Sequence, residues 1–251
     1  ENLYVMSEVF YFYLILIFVV AGLVKGITGM GLPTVAMGLL SILIPLPTAA
    51  ALLVIPSLVT NIWQLFSGPS LIVILRKLWL MILFILLSTI GGAAMLLSID
   101  PALSRLGIGI ALIVYAGYTL LSPVFMVPKK AEKWLSPLIG GITGLVTGAT
   151  GMFVIPAVPY LQSLNLSKDE LIQALGLSFT ISTIALAIGL FIHDSFHFEQ
   201  LSLSAFAILP ALIGMWVGQK IRAKIPPKRF RQFFLIFLMI LGVELILHPF
   251  L

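Results

Sequence analysis

The sequence predicts an all-α, polytopic membrane protein of about ten apolar segments, arranged as two inverted five-segment repeats with glycine-broken hairpins. Three observations carry this prediction. Hydrophobic residues make up 61% of the 251-residue chain and charged residues only 9%, against roughly a half and a quarter in soluble domains. A soluble domain of this length cannot hide so much apolar surface in one core, so the surplus faces lipid. The apolar residues also fall into runs near the roughly 20 residues that a spanning helix needs. Finally, one glycine-rich motif occurs twice.

The composition excludes a soluble enzyme, a disordered chain and a disulfide-stapled secreted domain. With no Cys in the chain, thiolate chemistry, Cys-based zinc sites and iron–sulfur clusters are excluded too. In a soluble protein a net charge of +5 suggests nucleic acid. In a membrane protein it marks a basic cytoplasmic face.

The segments run 9–25, 31–45, 48–66, 78–98, 102–122, 135–149, 152–164, 170–192, 200–219 and 229–247. The first is preceded by Glu1 and Glu8 and by no Lys or Arg. It therefore lacks the basic flank of a signal peptide and reads as a retained span. The leading Glu1-Asn2-Leu3-Tyr4 resembles part of a protease-site tag, which makes Met6 the expected natural start. Segment 2 is short, follows Gly26, Gly29 and Gly31, and carries Pro33. Segment 3 holds Ser57, Thr60, Asn61 and Gln64 among apolar residues. Segments 4 and 5 are plain apolar runs. A polar stretch, Pro128 to Lys133, then marks the clearest composition shift and reads as a linker. Segment 6 leads into Gly148 and Gly151, and Pro156 and Pro159 interrupt the short segment 7. Segment 8 carries Ser178, Thr180, Ser182 and Thr183, and segments 9 and 10 flank a strongly basic stretch.

Residues 22–30 read G-L-V-K-G-I-T-G-M, and residues 144–152 read G-L-V-T-G-A-T-G-M. Seven of nine positions agree at an offset of 122. Ser57 stands opposite Ser178, and Asn61 near Ser182. The chain reads as a duplication, with a first repeat over 1–134 and a second over 135–251. Five segments per repeat is an odd number, so the second copy enters the membrane from the opposite side. Short, Gly- or Pro-interrupted segments at matching places in two halves point to a transporter binding site.

Charge placement gives an orientation. With ten crossings, the loops after segments 1, 3, 5, 7 and 9 hold 13 of the 14 Lys and Arg residues, and Arg105 alone lies opposite. The basic side is cytoplasmic, so the protein is a multi-pass cell-membrane protein with both termini extracytoplasmic. Full crossing and re-entrant pairing of segments 1–2 and 6–7 give the same loop sides.

Ionisable residues inside a membrane are functional candidates. Lys25 lies at the end of segment 1, inside the repeated motif, opposite Thr147 in the second copy. Two readings stand: a charge that attracts an anion, or a side chain that snorkels to the interface. Glu244 reads as interfacial. His193, Asp194, His197 and Glu199 read as a solvated loop rather than a metal site. No Asp/Glu pair or Ser-His-Asp set lies in the apolar segments, which argues against an enzyme. No cofactor, metal or nucleic-acid partner is expected. The expected partners are a small anion and membrane lipid.

Glycine lets a backbone unwind and approach a ligand. The helix that follows presents free N–H donors and a partial positive charge, which suit a small oxyanion. The candidate substrate residues are therefore Lys25, Gly26, Thr28, Gly29, Met30 and Gly31 in the first copy and Gly148, Thr150, Gly151 and Met152 in the second. Ser57, Asn61, Ser178 and Ser182 join them as buried hydrogen-bonding groups. Asn61 is the best single candidate, because an amide is costly to leave unsatisfied in lipid. The side chains of Met30 and Met152 read as packing. The competing reading of the glycines is close helix packing, since Gly22/Gly26 and Gly144/Gly148 have small-xxx-small spacing.

Gly22 to Gly31 with Pro33, then Asn61, then Gly144 to Gly151 with Pro156, resemble the TauE/SafE family of sulfite exporters and toluene-sulfonate uptake permeases. The resemblance spans essentially the whole chain. It departs at Met30-Gly31 and Met152-Phe153, where the family usually has a double glycine. The resemblance implies a secondary transporter for a sulfur-containing anion of the sulfite, thiosulfate or organosulfonate class, working by alternating access. The alternatives are a passive anion channel and a non-transporting membrane assembly protein. With no embedded Asp for sodium, proton coupling or substrate exchange is the favoured coupling.

Overall fold

The computed structural model describes residues 8–247 apart from 67, 69, 99, 122–125, 154–155, 194–197, 223 and 225. Among these residues the regular structure is helical throughout. The helices are α1 (Glu8–Thr28), α2 (Leu32–Leu43), α3 (Leu46–Leu65), α4 (Leu71–Ser98), α5 (Pro101–Leu121), α6 (Lys129–Thr150), α7 (Ala157–Gln162), α8 (Lys168–Ile192), α9 (Phe198–Phe206), α10 (Ile208–Arg222) and α11 (Pro227–Leu247).

Each of the ten apolar segments contains helix, with three differences from the sequence reading. The expected linker is not a loop, because residues 129–133 form the first turns of α6, which Pro128 precedes. Segment 7 yields only the six-residue α7. Segment 9 is two helices that meet at Ala207. Pro210 accounts for that break: it has no N–H for the carbonyl of Phe206 four residues back, and its ring crowds that carbonyl.

Five stretches are long and apolar enough to cross a membrane: Glu8–Thr28, Leu46–Leu65, Leu71–Ser98, Glu170–Ile192 and Ser202–Ile221. Shorter apolar helical runs lie in α2, α5 and α11. The outer surface is greasy. Phe12, Ile72, Leu209 and Ile240 are each more than 60% exposed, a pattern suited to lipid rather than water.

Glycine faces hold the helices together. In a bilayer, apolar side chains gain little by leaving lipid, so helices associate through close van der Waals packing. Gly140, Gly144 and Gly148 on α6 lie against Met81, Ile85 and Gly92 on α4. Gly22 and Gly26 on α1 lie against Ala211 and Met215 on α10, and Gly214 and Gly218 return the contact to Val19 and Leu23. A methyl group on Gly22 would stand 2.1 Å from the Ala211 carbonyl oxygen. Both pairings keep ascending register, so α1 runs parallel to α10 and α4 parallel to α6. By contrast Gly109 meets Gly242 and Ile246 while Gly242 meets Ile113, so α5 and α11 are antiparallel.

The centre is the contact of α3 with α8. Asn61 meets Thr183 and Gln64 meets Ile172, so these helices are antiparallel. Pro56 inside α3 cannot donate to the Leu52 carbonyl. Ser204 of α9 supplies the missing donor at 2.9 Å and accepts the Ile55 N–H at 3.2 Å. In lipid a freed backbone group needs such a partner. Gln173 of α8 closes the other end of α3. Its Nε2 donates to the carbonyls of Leu65, at 3.0 Å, and of Gly68, and its Oε1 accepts the Ser70 N–H at 2.7 Å.

Candidate functional site

The repeated motif makes the same turn twice. α1 ends at Thr28, whose Oγ1 accepts the Met30 N–H at 3.2 Å and has the Val24 and Met30 carbonyls within donating range. α6 ends at Thr150, whose Oγ1 accepts the Met152 N–H at 3.3 Å and donates to Val146 at 2.7 Å. The two threonine hydroxyls thus tie off the helix ends. Gly29 and Gly151 follow with φ of 77° and 71°, left-handed values that a side chain resists.

The copies then part. Gly31 has φ of 98° and caps α2 at once. Phe153 stands at its counterpart, outside the positive-φ region, and α7 starts only at Ala157. The replacement of the second glycine therefore coincides with a later start of the following helix. Gly26 and Gly148 lie before the breaks, inside the helices, with their open faces filled by Met215 and Gly92. Their bareness serves helix packing.

Lys25 does not snorkel. It lies in the last turn of α1, is 2% exposed, and its Nζ donates to Oδ1 of Asn61 on α3. Asn61 Nδ2 in turn lies 3.3 Å from Thr183 Oγ1 on α8, and Thr183 donates to the Phe179 carbonyl at 2.7 Å. A buried lysine is thereby connected through a neutral amide to the second half of the chain. No described carboxylate pairs with Lys25; the ion pair among the described residues joins Lys77 and Glu132 at 3.4 Å.

The hydroxyls of Ser57, Ser178 and Ser182 are buried and have no hydrogen-bond partner among the described residues. Ser57 sits one turn from Asn61 on α3, and Ser178 and Ser182 are one turn apart on α8. Buried polar atoms in native proteins are nearly always satisfied, so unpartnered hydroxyls on α3 and α8 are groups that a polar ligand could use.

Not all candidates converge. A methyl group at Gly151 would stand 2.8 Å from Met37 and 3.5 Å from Ala50. Ala50 precedes Asn61 by eleven residues on α3, or about 16 Å of helix. The second break therefore lies apart from Lys25. Met30 receives the Tyr115 hydroxyl on its sulfur at 2.9 Å, and Met152 is 1% exposed, so both methionines pack as expected. A cavity of about 320 Å³ between α5, α6 and α7 is lined by Tyr115, Tyr118 and Tyr160 and does not reach Lys25 or Asn61.

His193 ends α8 at an exposed position. Asp194 and His197 lie outside the described residues, as does the side chain of Glu199. Among the described residues no group of three His, Asp or Glu could hold a metal.

Sequence reasoning did not foresee the Lys25–Asn61 bond or the roles of Gln173 and Ser204. One signal was available. Asn61 and Thr183 are separated by 122 residues, the repeat offset itself.

A family model described as "Sulfite exporter TauE/SafE" matches residues 14–245. The chain belongs to the TauE/SafE family. The match contains both glycine motifs, Lys25, Asn61 and Thr183. TauE/SafE proteins are membrane transporters, and membership points to sulfur-containing anions as the cargo class. Searches of curated proteins and of solved structures found no match.

Proposed function

We propose that this TauE/SafE protein is a secondary transporter that binds a small sulfur-containing anion at Lys25 and Asn61 and carries it by alternating access. The carrying observation is a buried lysine whose described partner is a neutral amide. A buried charge without a counter-charge is costly, and a bound anion removes that cost. Ser57, Asn61, Ser178 and Ser182 complete the proposed site, with Thr183 holding Asn61 in place. Gly29 and Gly31 let the chain turn beside it. Thr28, Thr150, Gly26, Gly148, Gly151, Met30 and Met152 act at a distance, by shaping and packing the two turns.

The inverted duplication belongs to the same reading. Its support is the pattern of helix directions: α1 with α10 and α4 with α6 parallel, α3 with α8 and α5 with α11 antiparallel. Ten alternating crossings in two repeats, 1–134 and 135–251, give that pattern. Such a pair of repeats can rock about a site at their shared interface. The basic loops face the cytoplasm and both termini the outside. Lys25 leaves the orientation count, because it is buried within α1, and twelve basic residues remain on that face.

The test is uptake of labelled sulfite and methanesulfonate into proteoliposomes. Saturable, protein-dependent uptake supports the reading. Flux that stays linear in concentration indicates a channel. No flux of either anion, with folded protein present, removes the transport reading.

A further inference from the structure

Resting on that transporter reading, we infer that the site selects its cargo by charge: the species carried is a monoanion, and dianions are discriminated against. The motif supplies one cation, not two. Lys25 in the first copy is matched by Thr147 in the second, and Thr147 spends its hydroxyl on the Thr143 and Met152 carbonyls at 2.7 and 3.0 Å. The rest of the site is neutral: the Asn61 amide and the hydroxyls of Ser57, Ser178, Ser182 and Thr183. Its surroundings add little charge. α2 and α3 contain no charged residue, those of α8 and α10 fall in terminal turns, and α11 carries Lys228, Arg229 and Arg231 near its start and Glu244 within its apolar run.

A monoanion therefore leaves the loaded site neutral, whereas a dianion leaves it with a net negative charge. Uncompensated charge away from water is disfavoured in either sign. Organosulfonates, with one charge at all ordinary pH values, fit the site directly. Sulfite fits as hydrogen sulfite. Sulfate and thiosulfate, as dianions, do not. A second consequence concerns voltage. With the Lys25 amine protonated in the empty carrier, net entry moves one negative charge per turnover, while one-for-one exchange of monoanions moves none.

The experiment compares labelled methanesulfonate and labelled sulfite in wild-type proteoliposomes at fixed total concentration. The external pH is set one unit below and then one unit above the second ionisation of sulfurous acid. Methanesulfonate keeps its charge across this range and reports any response of the protein itself. The expected result is a sulfite rate, normalised to methanesulfonate, that falls by about tenfold on raising the pH, as the hydrogen sulfite fraction does. Unlabelled sulfate should compete at least about tenfold more weakly than methanesulfonate. A normalised sulfite rate that is flat or rises with pH, or sulfate competing as well as methanesulfonate, overturns the charge rule and leaves transport standing. Absence of saturable uptake of either anion overturns the transport reading on which it rests.

Discussion

The side-chain amide of Asn61 meets the hydroxyl of Thr183 at 3.3 Å across the α3–α8 contact, while its carbonyl oxygen receives the ammonium of Lys25. One neutral residue thereby connects α1, α3 and α8 and holds a buried lysine amine without supplying a counter-charge. Anion affinity and fold stability are opposed at this point, and several variants should separate them.

Asn61→Asp gives Lys25 a counter-charge. The site becomes neutral when empty and repels an anion. Uptake should fall at least about tenfold while the thermal midpoint holds or rises, since the lone buried charge is then paired. Uptake assays beside a thermal melt in detergent check both halves of this expectation.

Asn61→Ala removes the partner of Lys25 and leaves Thr183 without its amide contact. Unmade buried hydrogen bonds cost about 1–3 kcal/mol. Both uptake and stability should fall, in contrast to Asn61→Asp. Urea unfolding, or a melt in detergent, reads the second effect.

Neighbouring glycines of α4 and α6 should behave oppositely. Gly148 lies against the backbone of Gly92, where a methyl group would approach to 2.5 Å, whereas a methyl group at Gly91 would meet nothing within 4 Å. Gly148→Ala should force the helices apart and cost at least about 2 kcal/mol. Gly91→Ala should be tolerated and gain up to about 1 kcal/mol in helix propensity. Yields of monodisperse protein and melting temperatures give the comparison.

Ser204→Ala should strand the Leu52 carbonyl that Pro56 leaves free. The expected cost is about 1–2 kcal/mol of stability, with substrate affinity unchanged because Ser204 is not in the proposed site. A melt with and without methanesulfonate tests both statements, the second through an unaltered ligand-induced shift.

Much of this was legible from sequence because membrane folding exaggerates the relevant signals. Apolar runs must match bilayer thickness, so all ten segments contain helix. The turn at Gly29 and its twin at Gly151 were visible because left-handed backbone selects glycine. The start of α6 was hidden, because Lys129, Lys130 and Lys133 look like a linker although an interfacial helix turn tolerates them. The break at Ala207 was hidden in a continuous apolar run, and only Pro210 betrayed it. The partner of Lys25 was least visible. Asn61 lies 36 residues away, and tertiary packing alone brings the two together. Asn61 itself was legible, because an amide in a spanning segment needs a partner.

The central claim is that the Lys25 ammonium is the charge that receives the anion. Lys25→Met tests it most directly, with methanesulfonate binding read as a ligand-induced rise in melting temperature of purified protein. Replacing a buried charge by an apolar side chain is often neutral or stabilising, so the variant should fold at least as well as wild type when empty. It should show no ligand-induced shift where wild type shows a saturable one. An equal shift in both proteins would contradict the account.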